Sequence, residues 1–219
     1  MKYTGVIFNF NGTLFWDTLY HNRSWDLFLS EYGIHLTDEE KFLKIHGKNA
    51  SEIFPALLNR TLTQEEIHKF TLEKEGLYQE ICLQEGMALA PGAIDLFEFL
   101  QEHAIPFTIA TASGRENVEF FFEYLHLANW FNIDQVVYDD GTVKGKPNPD
   151  LYLRAMHLLN RSAEEVIVFE DAVAGIQAAQ NARAGKIIIV NSNQDDYTAF
   201  PGYPIIQHFD EVDRNLLIK

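Results

Sequence analysis

The chain has 219 residues, of which 47% are hydrophobic and 22% charged, an ordinary globular mixture that excludes disorder as a description of the whole. Its 17 Lys and Arg against 32 Asp and Glu leave a net charge of −15, which argues against nucleic acid and anionic membrane as partners, since both call for surplus cations. The one cysteine, Cys82, excludes an internal disulfide and a cysteine-based zinc site, and it reads as a buried apolar residue.

In chain order, residues 6–8 (Val-Ile-Phe) form a short apolar strand that ends in the polar turn Asn9-Phe10-Asn11-Gly12-Thr13. The run is too short for a secretory leader, so a cytoplasmic location is expected. No strand pattern follows between Leu19 and Gln84. Trp25, Leu27, Phe28 and Leu29, then Ile53, Phe54, Leu57 and Leu58, then Ile67, Phe70, Leu77 and Ile81 have helical spacing. Thr37-Asp38-Glu39-Glu40 and Thr63-Gln64-Glu65-Glu66 are capping boxes that mark two helix starts. Pro91-Gly92 returns the chain to alternating elements: a helix through residues 94–100, a strand at 107–110, a strand at 135–137, a helix at 151–159, a strand at 166–169, a helix rich in small residues at 172–184 and a strand at 186–190. The Phe120-Phe121-Phe122 run between them reads as core.

Strands alternating with helices imply right-handed βαβ units. The expected fold is therefore α/β, a doubly wound parallel-sheet (Rossmann-like) core of residues 1–16 plus 86–219, with an all-helical cap inserted at 17–85. Ligands of such sheets bind beyond the carboxyl ends of the strands. The residues there are Asn9 and Asn11, Thr111 and Ser113, Asp139 and Asp140, Glu170 and Asp171, and Asn191.

Four motifs fall in one order: Asn9-Phe10-Asn11-Gly12-Thr13, Ala110-Thr111-Ala112-Ser113-Gly114, Gly145-Lys146-Pro147-Asn148-Pro149-Asp150, and Phe169-Glu170-Asp171-Ala172-Val173-Ala174-Gly175. Together with the helical insert, this set resembles the haloacid dehalogenase superfamily, in its β-phosphoglucomutase-like branch with a helical cap. The resemblance spans nearly the whole chain and implies a hydrolase of a small phosphorylated metabolite that uses Mg²⁺. It places Thr111, Ala112 and Lys146 on phosphate, and Asn9, the backbone carbonyl of Asn11, Glu170 and Asp171 on the metal. The chemistry is consistent with these residue types. Lys146 supplies a fixed charge and Thr111 a hydroxyl donor, whereas Glu170 and Asp171 supply the hard oxygens that Mg²⁺ prefers. Each has a structural alternative: a surface lysine, a strand-end turn residue, and an N-cap by Asp171 of the helix that follows. Gly175 and its neighbouring alanines allow close helix–sheet approach. His21 shares a helix face with Trp25, and similar positions in the branch put a histidine near the active site; Trp25 itself reads as core. Lys48 and Asn49 are candidates for substrate contact, and the molecule is expected to be a monomer or weak homodimer.

The departures from the family are as informative as the matches. The family's phosphatases carry Asp-x-Asp-Gly-Thr, whose first Asp attacks phosphorus and whose second is the general acid/base. Here those slots hold Asn9 and Asn11. A carboxamide is a poor oxygen nucleophile and cannot exchange a proton near neutral pH, so little or no turnover is expected. Three accounts fit: a deliberate exchange that leaves an inactive, ligand-retaining form; a natural pseudoenzyme that binds a phosphometabolite; or deamidation, which Asn11-Gly12 invites and Asn9-Phe10 much less so. The mutases' cap motif Gly-x-x-Arg is met by Gly47-Lys48-Asn49-Ala50, with no arginine. A sugar-phosphate mutase is thus the second alternative, behind a phosphatase and a binding protein.

Overall fold

The apolar runs come together as one six-stranded sheet in a computed structural model, which describes residues 2–46 and 48–218. The strands are β1 (Gly5–Phe8), β2 (Phe107–Gly114), β3 (Val137–Asp139), β4 (Val166–Glu170), β5 (Lys186–Val190) and β6 (Ile205–Ile206). Their order is β3-β2-β1-β4-β5-β6, with every neighbouring pair parallel. The chain runs outward from β1 to β3, then returns to the other side of β1 to lay down β4. That reversal leaves a crevice beyond the carboxyl ends of β1 and β4.

The strands are buried on both faces, and their side chains alternate between two cores. Val6, Phe8, Ile167, Phe169, Ile188 and Val190 join one cluster, covered by α5 (Ala93–Glu102) and α6 (Arg115–Tyr124). Ile7, Val166, Val168, Ile187 and Ile189 join the other, covered by α7 (Asp150–Leu158) and α8 (Val173–Asn181). Phe120 and Phe121 are buried, and Phe122 packs against the first cluster, as the sequence indicates.

Between β1 and β2 the chain forms only helices among the described residues: α1 (Thr18–Ser30), α2 (Asp38–Lys44), α3 (Ala50–Leu58) and α4 (Gln64–Glu85) precede α5. Trp25, Phe28, Ile53, Phe54 and Phe70 give this insert an apolar cluster of its own. Both expected capping boxes form, from Thr37 to Glu40 and from Thr63 to Glu66. The two connecting segments run side by side, with Ala90 N donating to Leu14 O at 2.8 Å and Phe15 bridging Leu89. Tyr78 and Cys82 of α4 are buried in the sheet-side cluster, so the longest helix of the insert also contacts the sheet's core.

Two expectations are corrected and one strand is added. The third strand lies at Val137–Asp139 rather than 135–137, because residues 133–135 close a 3₁₀ turn capped by the Asn132 side chain. The two-residue edge strand β6 carries too little pattern to be read from sequence. Asp171 does not cap the helix after β4: Ala172 occupies the N-cap position and no side chain caps that helix. Asp171 faces β1 instead.

Candidate active site

Asn9 follows β1 directly and is buried, with 6% of its surface exposed. Its Oδ1 accepts a hydrogen bond from Lys146 Nζ at 3.0 Å. On the opposite side its Nδ2 donates to Asn11 O at 2.8 Å, to Asp171 Oδ1 at 2.9 Å and to Thr13 Oγ1 at 3.3 Å. Thr13 in turn donates to Asp171 Oδ1 at 2.7 Å. The turn between β1 and α1 is thereby bound to the end of β4. Gly12 makes this approach possible: its φ is +75°, and a Cβ there would lie 2.1 Å from Asp171 Oδ2.

Lys146 and Glu170 are fully buried beneath Asn9 and pair with each other. Glu170 Oε1 also accepts from Tyr152 OH at 2.9 Å, while Oε2 accepts the backbone N–H groups of Asp171 and Ala172, each at 2.7 Å. Both carboxylate oxygens of Glu170 are thus engaged. Gly175 clears space for that carboxylate, since a Cβ would fall 1.7 Å from Glu170 Oε1; the need for glycine is set by Glu170 more than by helix–sheet spacing. Burial, followed by the Glu170 charge, pushes the Asp171 carboxyl well above the usual carboxylate range.

Asn11 is held from both ends. Ser113 Oγ donates to its Oδ1 at 2.7 Å, and its Nδ2 donates to Asp17 Oδ2 at 2.6 Å. Asp17 is fully buried and gathers Tyr78 OH, the backbone N–H of Gly12 at 2.9 Å and His21 Nε2 at 3.3 Å. Burial raises its pKa, but His21, Tyr78 and Asn11 outweigh that and hold it below the ordinary value. Lys74 Nζ lies 2.8 Å from His21 Nδ1. An ammonium can only donate, so Nδ1 accepts and the Nε2–H tautomer faces Asp17. Sequence reasoning missed Asp17, because an aspartate just before α1 looks like a helix cap; it makes no such bond.

A cavity of about 660 Å³ lies between the strand ends and the insert, bordered by Asn9, Asn11, His21, Asn49, Thr111 and Asp171. Ala112 and Lys48 also border it. Thr111 is buried, its Oγ1 accepting from Ser113 N at 3.1 Å. Lys48 donates to Leu43 O at 2.9 Å, back to the last turn of α2; Gly47 lies outside the described residues. Asn49 Nδ2 reaches Val143 O at 3.3 Å, from the insert to the loop after β3, and its buried Oδ1 has no partner among the described residues. Lys146 and Glu170 do not border the cavity; they act on it through Asn9 and Asp171. Trp25 packs in the insert's cluster and Cys82 is buried, as read from sequence.

Among the described residues Asp171 is the carboxylate that meets Asn9, and the group facing it is the amide N–H₂. No group of three or more His, Cys, Asp or Glu is placed to hold a metal ion among the described residues. With Asn9 in this orientation the residues present do not fit a divalent cation, which takes oxygen ligands.

A doubly wound parallel sheet with a helical insert after its first strand, and with Asn9, Thr111, Lys146 and Asp171 gathered at its carboxyl edge, defines a phosphohydrolase-type α/β protein. The family model described as haloacid dehalogenase-like hydrolase matches residues 6–189, and the chain belongs to that family. It is similar to a HAD hydrolase, family IA, variant 3, from Entamoeba histolytica, with 36% identity over 99% of this chain and 97% of that one, at a TM-score of 0.87. Its fold is also that of a mutant of CbbY from Rhodobacter sphaeroides, in complex with xylulose-(1,5)bisphosphate, at 21% identity, 99% and 100% coverage and a TM-score of 0.81. A β-phosphoglucomutase from Clostridium difficile shares the fold at 21% identity, 98% and 95% coverage and a TM-score of 0.80. No curated protein matches the sequence. Members of the family typically depend on Mg²⁺, and no helix among the described residues is long and apolar enough to cross a membrane.

Proposed function

We propose that the protein binds the phosphate group of a small phosphorylated metabolite at the carboxyl ends of β1 and β2, and that with asparagine at position 9 it hydrolyses the ester very slowly or not at all. The observation that carries this reading is the placement of Asn9. It lies in the nucleophile slot, bonded to Lys146 on one side and to Asp171 on the other, with the Thr111 hydroxyl bordering the same cavity. The arrangement retains the supports of an attacking carboxylate and lacks the carboxylate itself. Thr111 and the backbone at Ala112 hold phosphate oxygens, and Lys146 supplies positive charge from beneath. Residues 17–85 act as a cap that excludes water and selects the ester, with His21, Lys48 and Asn49 on its inner wall. The protein works as a cytoplasmic monomer or weak homodimer.

Asn9→Asp tests this directly. Assayed on a panel of phosphate monoesters with Mg²⁺, the variant is expected to raise kcat/KM by at least about a hundred-fold over the parent. A silent variant that still binds phosphate would favour the second reading, a non-catalytic phosphometabolite-binding protein. Asn11 supports that second reading, because it cannot relay a proton and general acid/base catalysis is worth about 10²–10⁴-fold. A sugar-phosphate mutase is the third reading, weakened by Ala50 at the position where mutases carry arginine.

A further inference from the structure

We infer that Asn9 excludes a divalent cation from this site, so that the protein takes phosphate groups without one. The inference rests on the phosphate-site reading above and follows from the asymmetry of a carboxamide. Asn9 has one oxygen and one N–H₂ group, on opposite sides. Lys146 Nζ, 3.0 Å from Oδ1, can only donate, and it is held in place by its pairing with the buried Glu170. The oxygen must therefore face Lys146. The N–H₂ must face the other way, into the oxygens of Asn11 O, Asp171 Oδ1 and Thr13 Oγ1 at 2.8, 2.9 and 3.3 Å.

Two of those three acceptors, Asn11 O and Asp171, are what the chain would offer a cation. The amide hydrogens already bond to them and direct partial positive charge to the place where a cation would have to sit. Rotating the amide by half a turn would free the oxygens, but it would put N–H₂ against the Lys146 ammonium, donor against donor. An aspartate has no such conflict, because it presents an oxygen to each side. Exchanging oxygen for nitrogen at this one atom thus removes the nucleophile by its chemistry and the cation by the orientation that Lys146 imposes.

Mn²⁺ binding, followed by calorimetry or by the loss of its free-ion spin-resonance signal, tests the inference on the protein, Asn9→Ala and Asn9→Asp. Asn9→Asp is expected to bind Mn²⁺ at least ten-fold more tightly than the parent. Asn9→Ala, which removes the amide and leaves room for water, is expected to bind at least as tightly as the parent. If the parent binds more tightly than Asn9→Ala, the amide oxygen is a ligand and the inference is overturned. Inorganic phosphate should bind the parent with the same Kd, within two-fold, in Mg²⁺ or in EDTA; a ten-fold tightening by Mg²⁺ also overturns it. If Asn9→Asp takes no Mn²⁺ either, the phosphatase-type reading of the site falls together with this inference. If both parent and Asn9→Asp take Mn²⁺ equally, only the inference falls.

Discussion

At the scale of single residues, the two asparagines of the first motif have different standing. Asn9 stands where the family's chemistry calls for a carboxylate, and its surroundings would accept one. Asn11 is matched to its surroundings as an amide, with its oxygen on Ser113 and its nitrogen on Asp17 at 2.6 Å. Asn11→Asp, or deamidation at Asn11-Gly12, would press a second carboxylate against the buried Asp17. It is expected to destabilise the protein by about 1–3 kcal/mol at neutral pH. The penalty should shrink in acid as one carboxyl of the pair takes up a proton, which urea unfolding at a series of pH values would reveal. The glycines beside the site are equally constrained. Gly175→Ala would drive a methyl into the Glu170 carboxylate and is expected to cost about 1–3 kcal/mol or more, while a solvent-facing change such as Gly76→Ala meets nothing within 4 Å.

At the scale of elements, the helices of the insert were the most legible part of the chain. Capping boxes at Thr37 and Thr63 place helix starts through local hydrogen bonds that need no tertiary partner. Thr63→Ala should therefore cost about 1 kcal/mol, seen as a lower midpoint in thermal unfolding, without altering phosphate binding, since its box faces solvent. The long strands were legible for a related reason: burial on both faces leaves continuous apolar runs. The third strand was misplaced and the sixth missed because both are short, and a two- or three-residue strand is defined by its neighbour's hydrogen bonds rather than by its own pattern. The N-cap reading of Asp171 failed likewise. A carboxylate before a helix has two possible uses, and here Asn9 and Thr13 claim it from the turn after β1.

At the scale of the whole molecule, insert and core meet across buried charge. Asp17 is reached by Tyr78, His21 and Asn11, while Lys74 pairs with Glu75, which accepts from Asn117 of α6 at 2.7 Å. Burial raises the pKa of both acids, but their partners outweigh it, His21 first for Asp17 and Lys74 first for Glu75, and leave each below its ordinary value of 3.8 or 4.5. A carboxyl lowered on folding contributes stability that is present above its unfolded pKa and is lost as pH falls through the folded one. Stability should thus fall in acid from about pH 4.5 downward, and the fall should be shallower in Glu75→Gln. His46 adds a loss in the same direction, one that begins at a higher pH. Burial, followed by the neighbouring His21, pushes its pKa down to about 4, so its contribution to stability is present above its ordinary value of 6.5 and is lost as pH falls toward 4.

By itself the sequence determined the class of the protein, the insert and its place after the first strand, and the residue types of the site, because periodicity, capping and motif order are local properties of a chain. It also showed that both motif carboxylates are amides. Only the tertiary structure decided what those amides do. The direction of a carboxamide depends on which neighbour can only donate, and that neighbour, Lys146, is brought to Asn9 from 137 residues away in the chain. Asp17 became part of the site in the same way, through Tyr78 arriving on α4 and His21 on α1. Local pattern records which atoms a residue has, whereas the partners that orient them are set by the packing of distant elements.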